Sequence, residues 1–376
     1  MSVLNSVETE YLLCVLRAAV NGETAAAPPV GIDWNQFFAL SKKQEVYSMV
    51  AQSIDYSYLP PDIARELNDH SKSELVRLIA MQNELKAIEE QLEKNEIGYM
   101  LLKGSVIRNY YPKQSMRQMS DIDIMYDPQK RDILLEIMKK RGYKMKSDGD
   151  NSDDFVKAPY YTFEFHRDLF KDVYGFCPDF SFVWNHAKRS AEKPFEYIMC
   201  AEDLYLFHIA HMYKHGILGG FGVRFLVDTY LILKKNPDMD TALLHQQLGK
   251  LNLSDFEEKI RSLSFSVMED KALTEEQTAL LNDIIQNSIF GAADNIDIAA
   301  AYEAYNAANG GGVLGYLKNR IFPSKQQMQS MYPQLKEKGY LLPYYYFKRL
   351  FKNLFSSFSK GVKEVKEIRN IANKEK

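Results

Sequence analysis

Apolar positions recur every three to four residues through the first quarter of the chain, at Tyr11, Leu12, Val15, Leu16 and Ala19 and again from Leu75 to Leu92. That period predicts helix from Glu8 to about Asn95, punctuated by Pro28, Pro29 and Gly31 and then by Pro60 and Pro61. From Ile97 the pattern changes. Ile97 to Leu102 is a short, unbroken apolar run closed by Lys103, Gly104 and Ser105, which reads as a buried strand. Val106 to Tyr111 then predicts a short helix stopped by Pro112, and residues 113–120 a polar loop. Asp121 to Tyr126 alternates and predicts a second strand. Asp127 and Pro128 suit the cap and first turn of a helix running to Arg141, with Gly142 as its stop. Tyr143 to Met145, Phe155 to Lys157 and Tyr160 to His166 predict further strands around a polar, acidic turn from Ser147 to Asp154.

Helical spacing returns after Pro194, with Ala201 to His215 and Arg224 to Lys235 as long amphipathic segments and the same habit continuing to Asn287. Gly310, Gly311 and Gly312 mark a turn, and Pro323, Pro333 and Pro343 divide the remainder. No repeat at a solenoid period is present. The expected fold class is α+β: a helical N-terminal region over 1–95, a small mixed-sheet α/β core over 96–193, and a helical C-terminal region over 194–376 with a basic amphipathic tail.

Composition narrows the function classes. The 376 residues are 46% apolar and 12% aromatic, ample for buried cores. A formal charge of −3 from 47 basic and 50 acidic residues argues against coating a polyanion, so nucleic acid is not the expected partner. Cys14, Cys177 and Cys200 are widely spaced and form no CxxC pair, which indicates neither a disulfide framework nor a thiolate zinc site and fits a reducing cytoplasm. The first residues lack a basic-then-apolar leader, and no apolar run approaches the ~20 residues of a membrane span, so a cytoplasmic location is expected.

The chemistry concentrates in two short stretches. Asp121 and Asp123, one residue apart in a strand, project from one face while Ile122 and Ile124 face a core, and paired carboxylates attract a divalent metal. Upstream, Gly104 permits close backbone approach, and Ser105 opens a helix whose free N–H groups face an anion such as a phosphate. A two-metal arrangement needs a third carboxylate from a neighbouring strand. Glu164 is the choice, because Thr162, Glu164 and His166 share one face of their strand, although Asp153, Asp154 and Asp168 lie near in sequence.

The order of strand, Lys-Gly-Ser, short helix, loop with Arg117, and strand with Asp-x-Asp resembles the DNA polymerase beta-like nucleotidyltransferase superfamily. More closely, Leu102-Lys103-Gly104, Tyr111-Pro112, Arg117 and Asp121-Ile122-Asp123 resemble a bacterial branch of nucleotidyltransferases with no assigned substrate. Phe165-His166, Arg224-Phe225-Leu226-Val227-Asp228 and Phe322-Pro323-Ser324 extend the likeness over most of the chain. The fifteen residues 106–120 between Ser105 and Asp121 slightly exceed the usual gap, a small departure because loop closure costs only about 0.6 kcal/mol per doubling of length.

The resemblance implies magnesium-dependent transfer of a nucleoside monophosphate from an NTP, with ATP the expected donor, to a hydroxyl of a small molecule, sugar or protein. The alternative is a catalytically inactive nucleotide-binding or regulatory protein that keeps the fold. Under the first reading Asp121, Asp123 and Glu164 hold two Mg²⁺ ions, with Glu164 also the general base. Gly104 and Ser105 hold the β and γ phosphates, and Lys103 and Arg117 are charge partners. Arg117 ranks first of the two, either clamping phosphate or pairing with the aspartates when no metal is bound.

Four further features carry blander expectations. His166 reads as a structural histidine. His208, His211 and His215 share a helix face, and with no acid or Cys completing a ligand set they are expected to pack or line a cleft rather than bind zinc. Arg224 and Asp228, an i,i+4 pair, either support one another or contact nucleotide or acceptor. In the tail, Phe347, Leu350, Phe351, Leu354, Phe355 and Phe358 make an apolar stripe beside Lys348, Arg349 and Lys352, so residues 344–376 either pack on their own domain or contact a membrane surface or a protein.

Overall fold

In the computed structural model, the structure describes residues 6–286 apart from 150, 160, 172, 174, 175 and 219, together with 325, 328, 335 and 339–346. The chain opens with α1 (Val7–Asn21), α2 (Trp34–Lys43), α3 (Tyr47–Ser53) and the long α4 (Pro61–Lys94). Local chemistry sets their ends. Ser6 Oγ accepts from Thr9 N at 3.2 Å, Asp33 Oδ1 accepts from Asn35 N and Gln36 N, and Pro61 occupies the first turn of α4, where its missing N–H costs nothing.

Then follow β1 (Tyr99–Leu101), α5 (Gly104–Ile107), β2 (Ile122–Tyr126), α6 (Arg131–Lys140), β3 (Lys144–Asp148), β4 (Ser152–Lys157) and β5 (Tyr161–His166). The five strands form one sheet in the order β1-β2-β5-β4-β3, in which only β2 and β5 run parallel. α7 (Val183–His186) and the ribbon of β6 (Lys188–Arg189) and β7 (Tyr197–Ile198) lead to α8 (Ala201–Leu218), α9 (Arg224–Lys235), α10 (Thr241–Lys250), α11 (Ser254–Met268) and α12 (Glu275–Gln286). The fold is the expected α+β class, and among the described residues no helix is long and apolar enough to cross a membrane.

Alternation along the strands separates two cores. Ile122, Ile124, Tyr126, Phe163 and Phe165 bury one sheet face against Leu134, Ile137 and Met138 of α6 and Ile88 and Leu92 of α4. Burying such side chains contributes about 1.5–3 kcal/mol each. The other face sends Met100 and Met125 into a larger cluster shared by α1, α3, α8, α9 and α11, through Leu12, Val50, Phe207, Leu226 and Leu263. Helices from both ends of the chain therefore pack together beside one sheet face, and that face carries Asp123.

Two local expectations are corrected. The polar stretch from Ser147 to Asp154 is mostly strand, because β3 runs to Asp148 and β4 starts at Ser152. Asp153 is fully buried there because Arg131 and Arg167 neutralise it at 2.8 and 2.6 Å and Tyr126 donates to it. Asp127 does accept from Gln129 N at 3.0 Å, but it opens a 3₁₀ turn, Pro128–Lys130, ahead of α6. The glycine run at 310–312, Phe322-Pro323-Ser324 and the Phe347 to Phe358 stripe lie outside the described residues.

Candidate active site

The end of β1 sets the first half of the site. Leu102 N donates to Asp123 O at 3.0 Å, tying the strand end to β2, and the chain then turns sharply through Lys103. Lys103 has φ 44° and ψ −119°, a left-handed conformation that costs an L-residue about 1–3 kcal/mol and is held only where surroundings enforce it. Its carbonyl accepts from Val106 N and Ile107 N, and its Nζ donates to Asp123 Oδ1 at 2.7 Å. Gly104 is required by a side chain rather than by open space. A Cβ there would collide with Arg117 Nη1 and come within 3.1 Å of Met119. Ser105 N is committed to Leu102 O at 3.1 Å, while Ser105 Oγ is buried with no hydrogen-bond partner among the described residues.

The parallel pairing of β2 with β5 sets the second half. Asp123 is registered against Glu164, so the two side chains emerge next to each other on one face. His166 Nε2 lies 2.8 Å from Asp123 Oδ1 and 3.5 Å from Glu164 Oε1, and Ser152 Oγ donates to Glu164 Oε1 at 2.8 Å. One donor atom from each of Asp123, Glu164 and His166 falls within 4.8 Å of the others. Asp121 stands just before β2, with Ser120 Oγ donating to its Oδ1 at 3.2 Å.

Electrostatics differ sharply between the two aspartates. Burial works against the Asp123 carboxylate, but the Lys103 ammonium and His166 outweigh it and hold Asp123 well below the ordinary carboxyl range. Asp121 moves the other way, raised by burial first and then by the negative charge of Asp123. Such a cluster of acids in close quarters favours a cation. Lys103 Nζ now stands at Asp123, where a metal cation would be stabilised.

These groups open into a cleft of about 1260 Å³ between the sheet and α8 and α9, reaching residues of α2 and α4. His208 is buried, bonds Thr229 Oγ1 at 2.9 Å, and is pushed down to about 4 by burial. The His211 and His215 rings lie 4.5 Å apart and pack on Phe225, so this face packs and lines the cleft as expected. Lys214, between them, went unnoticed in the sequence. It lines the cleft without an ion pair among the described residues, and burial, then Lys103, push it down to about 8. The available signal was the single lysine of α8, set between two histidines on one helix face. His166 also gains importance, since its Nδ1 is buried without a partner among the described residues while its Nε2 joins the acids.

Arg117 is engaged away from the two aspartates of the site. Its Nε and Nη2 donate to Asp228 Oδ1 and Oδ2 at 2.9 and 2.8 Å, a buried bidentate pair completed by Tyr111 Oη at 2.6 Å. Arg117 therefore pairs with neither Asp121 nor Asp123. Arg224 makes no direct ion pair with Asp228, since Arg224 Nη1 pairs with Glu45 at 2.8 Å, and it helps keep Asp228 ionised only at a distance. The spacing i,i+4 permits that contact on an exposed helix, whereas Asp228 faces inward at 1% exposure and meets a guanidinium 111 residues away in sequence.

A sheet with one parallel pair thus carries adjacent carboxylates beside a strained Lys-Gly-Ser turn. The chain belongs to a family described as uncharacterised nucleotidyltransferase, whose model matches residues 31–269. None of the curated proteins matches it. Among solved structures, the chain is similar to the solution structure of the antibiotic-resistance factor ANT(2'')-Ia, at 12% identity and a TM-score of 0.33, over 48% of this chain and 92% of that one. A likeness at that level supports no argument about function.

Proposed function

We propose that the protein transfers a nucleoside monophosphate from an NTP, with ATP the expected donor, to a hydroxyl of a small molecule, sugar or protein. The observation that carries this reading is the Asp123–Glu164 register on the cleft face of a parallel strand pair, with Asp121 two residues from Asp123. Carboxylate oxygens at this density suit a hard divalent cation, and the ammonium now 2.7 Å from Asp123 supports a preference for positive charge there.

Asp121, Asp123 and Glu164 would hold Mg²⁺, with His166 orienting Asp123. When bound, the ion supplies charge neutralisation to the triphosphate and lowers the pKa of the acceptor hydroxyl. Glu164 takes the acceptor's proton as its oxygen bonds the α-phosphorus, and the bond to the β-phosphate oxygen breaks to release pyrophosphate. Lys103 and Lys214 face the growing charge on that leaving group. Gly104 and the Ser105 hydroxyl, which lacks a protein partner, would contact the phosphates. Arg117 acts at one remove, holding the turn beneath them in place.

The test is isothermal titration with Mg²⁺ and a non-hydrolysable ATP analogue. Wild type should bind and the Asp121→Ala, Asp123→Ala double variant should not. Failure of the wild type to bind any of the four NTP analogues would overturn the reading.

A further inference from the structure

A second, much smaller cavity of about 20 Å³ is bordered by Arg77, Arg108 and Arg117, with Glu74 the carboxylate among its lining residues. Two of the three guanidiniums are accounted for. Arg117 is matched by Asp228 at 2.8 Å, and Arg77 by Glu74 at 3.4 Å, with a further bond from Arg77 Nη2 to the Met119 carbonyl. Arg108 is not. It is 91% buried, and among the described residues its Nε has no hydrogen-bond partner and no carboxylate lies within ion-pair distance of it.

A buried guanidinium in this position retains its charge. Burial, then Arg117 and Arg77, push it down to about 10, still far above neutral pH. With Glu74 and Asp228 each matched to one arginine, one positive charge beside the cavity has no carboxylate partner among the described residues. Buried charges are paired in stable folds, because an uncompensated one loses its hydration without replacement. Water would satisfy the N–H group and leave the charge. The volume exceeds the ~10–15 Å³ that one water-sized occupant needs, which suits a small monatomic anion.

We infer that this cavity binds a single halide-sized anion, chloride in solution, held by Arg108 with Arg77 and Arg117 around it. The anion braces the Lys103–Ser105 turn through Arg117, the side chain packed against Gly104. The inference stands whether or not nucleotidyl transfer is the reaction.

Two measurements on the full chain test it. Crystals grown in sodium bromide should show an anomalous peak in the cavity within hydrogen-bonding distance of Arg108 Nε; water alone at that position overturns the inference. In solution, replacing gluconate with chloride at fixed ionic strength should raise Tm saturably, on the order of 2–4 °C. Arg108→Gln, which keeps a polar amide and removes the charge, should abolish that rise. An equal chloride response in wild type and Arg108→Gln would also overturn it. If the variant does not fold, the bromide map on wild type decides alone.

Discussion

Asp228→Asn is the most informative single perturbation of the framework under the site. The substitution preserves shape and removes one charge from a pair whose side chains are 8% and 1% exposed. Asp228 accepts three hydrogen bonds, two from Arg117 and one from Tyr111. An Asn amide can accept at one oxygen but turns an NH₂ toward a donor, so at least one contact is lost and the Arg117 charge is stranded. Breaking a buried pair from one side costs about 3–5 kcal/mol. At roughly 2–4 °C per kcal/mol for a large domain, Tm should fall by about 6–20 °C. Arg117→Met combined with Asp228→Leu removes both charges and should recover most of that loss. Urea and thermal denaturation followed by circular dichroism measure Asp228→Asn, the double variant and its two singles, Arg117→Met and Asp228→Leu. A loss below ~1 kcal/mol for Asp228→Asn, the scale of an exposed pair, would refute the reasoning, as would a double variant as unstable as the sum of the singles. The pH dependence has a definite sign. Burial alone would raise Asp228, but Arg117 outweighs it and holds the folded carboxyl below its unfolded value of about 3.9. The pair's contribution is therefore complete above that value and is lost as pH falls through the lower folded one, so the gap between wild type and Asp228→Asn should narrow in strong acid.

Gly104→Ala should cost about 1–3 kcal/mol, read as a lower urea midpoint, because its Cβ meets Arg117 and Met119. Lys214→Met should weaken binding of the ATP analogue by about 10–100-fold in calorimetry, the value of one charge-assisted contact, while leaving Tm unchanged or higher; unchanged affinity would remove Lys214 from the phosphate site. His208, held neutral by burial with a folded value of about 4 against ~6.5 unfolded, contributes stability that is present above pH ~6.5 and lost as pH falls toward 4. His208→Gln should flatten that part of the stability curve in denaturation measured from pH 7 to pH 4.

The alternation of Asp121, Asp123, Glu164 and His166 with Ile122, Ile124, Phe163 and Phe165 was legible in the sequence because a strand assigns faces by parity alone. The α8 and α9 segments were legible for the parallel reason at a helical period. Partnerships across long separations were not. Nothing near Arg117 points to Asp228, and nothing near Asp153 announces that Arg131 and Arg167 will make a fully buried carboxylate tolerable in a strand. Polar composition around Ser147 to Asp154 therefore imitated a turn. Gly104 was read through its backbone freedom, whereas its place is set by a guanidinium arriving from a loop. The strain at Lys103 likewise had no local signature, since lysine has no preference for positive φ.

The register between β2 and β5 has a consequence for how such a protein can diversify. The distance between the Asp123 and Glu164 side chains is fixed by backbone hydrogen bonds within one sheet, while the rest of the cleft is walled by helices drawn from both ends of the chain. Substitutions on α2, α4, α8 or α9 can reshape what enters without moving those two carboxylates relative to each other. A one-residue slip of β5, by contrast, would turn Glu164 into the apolar core and bring Phe163 or Phe165 to the cleft, extinguishing the centre in a single step. Selectivity is free to drift by small changes; the acid pair is retained whole or lost whole.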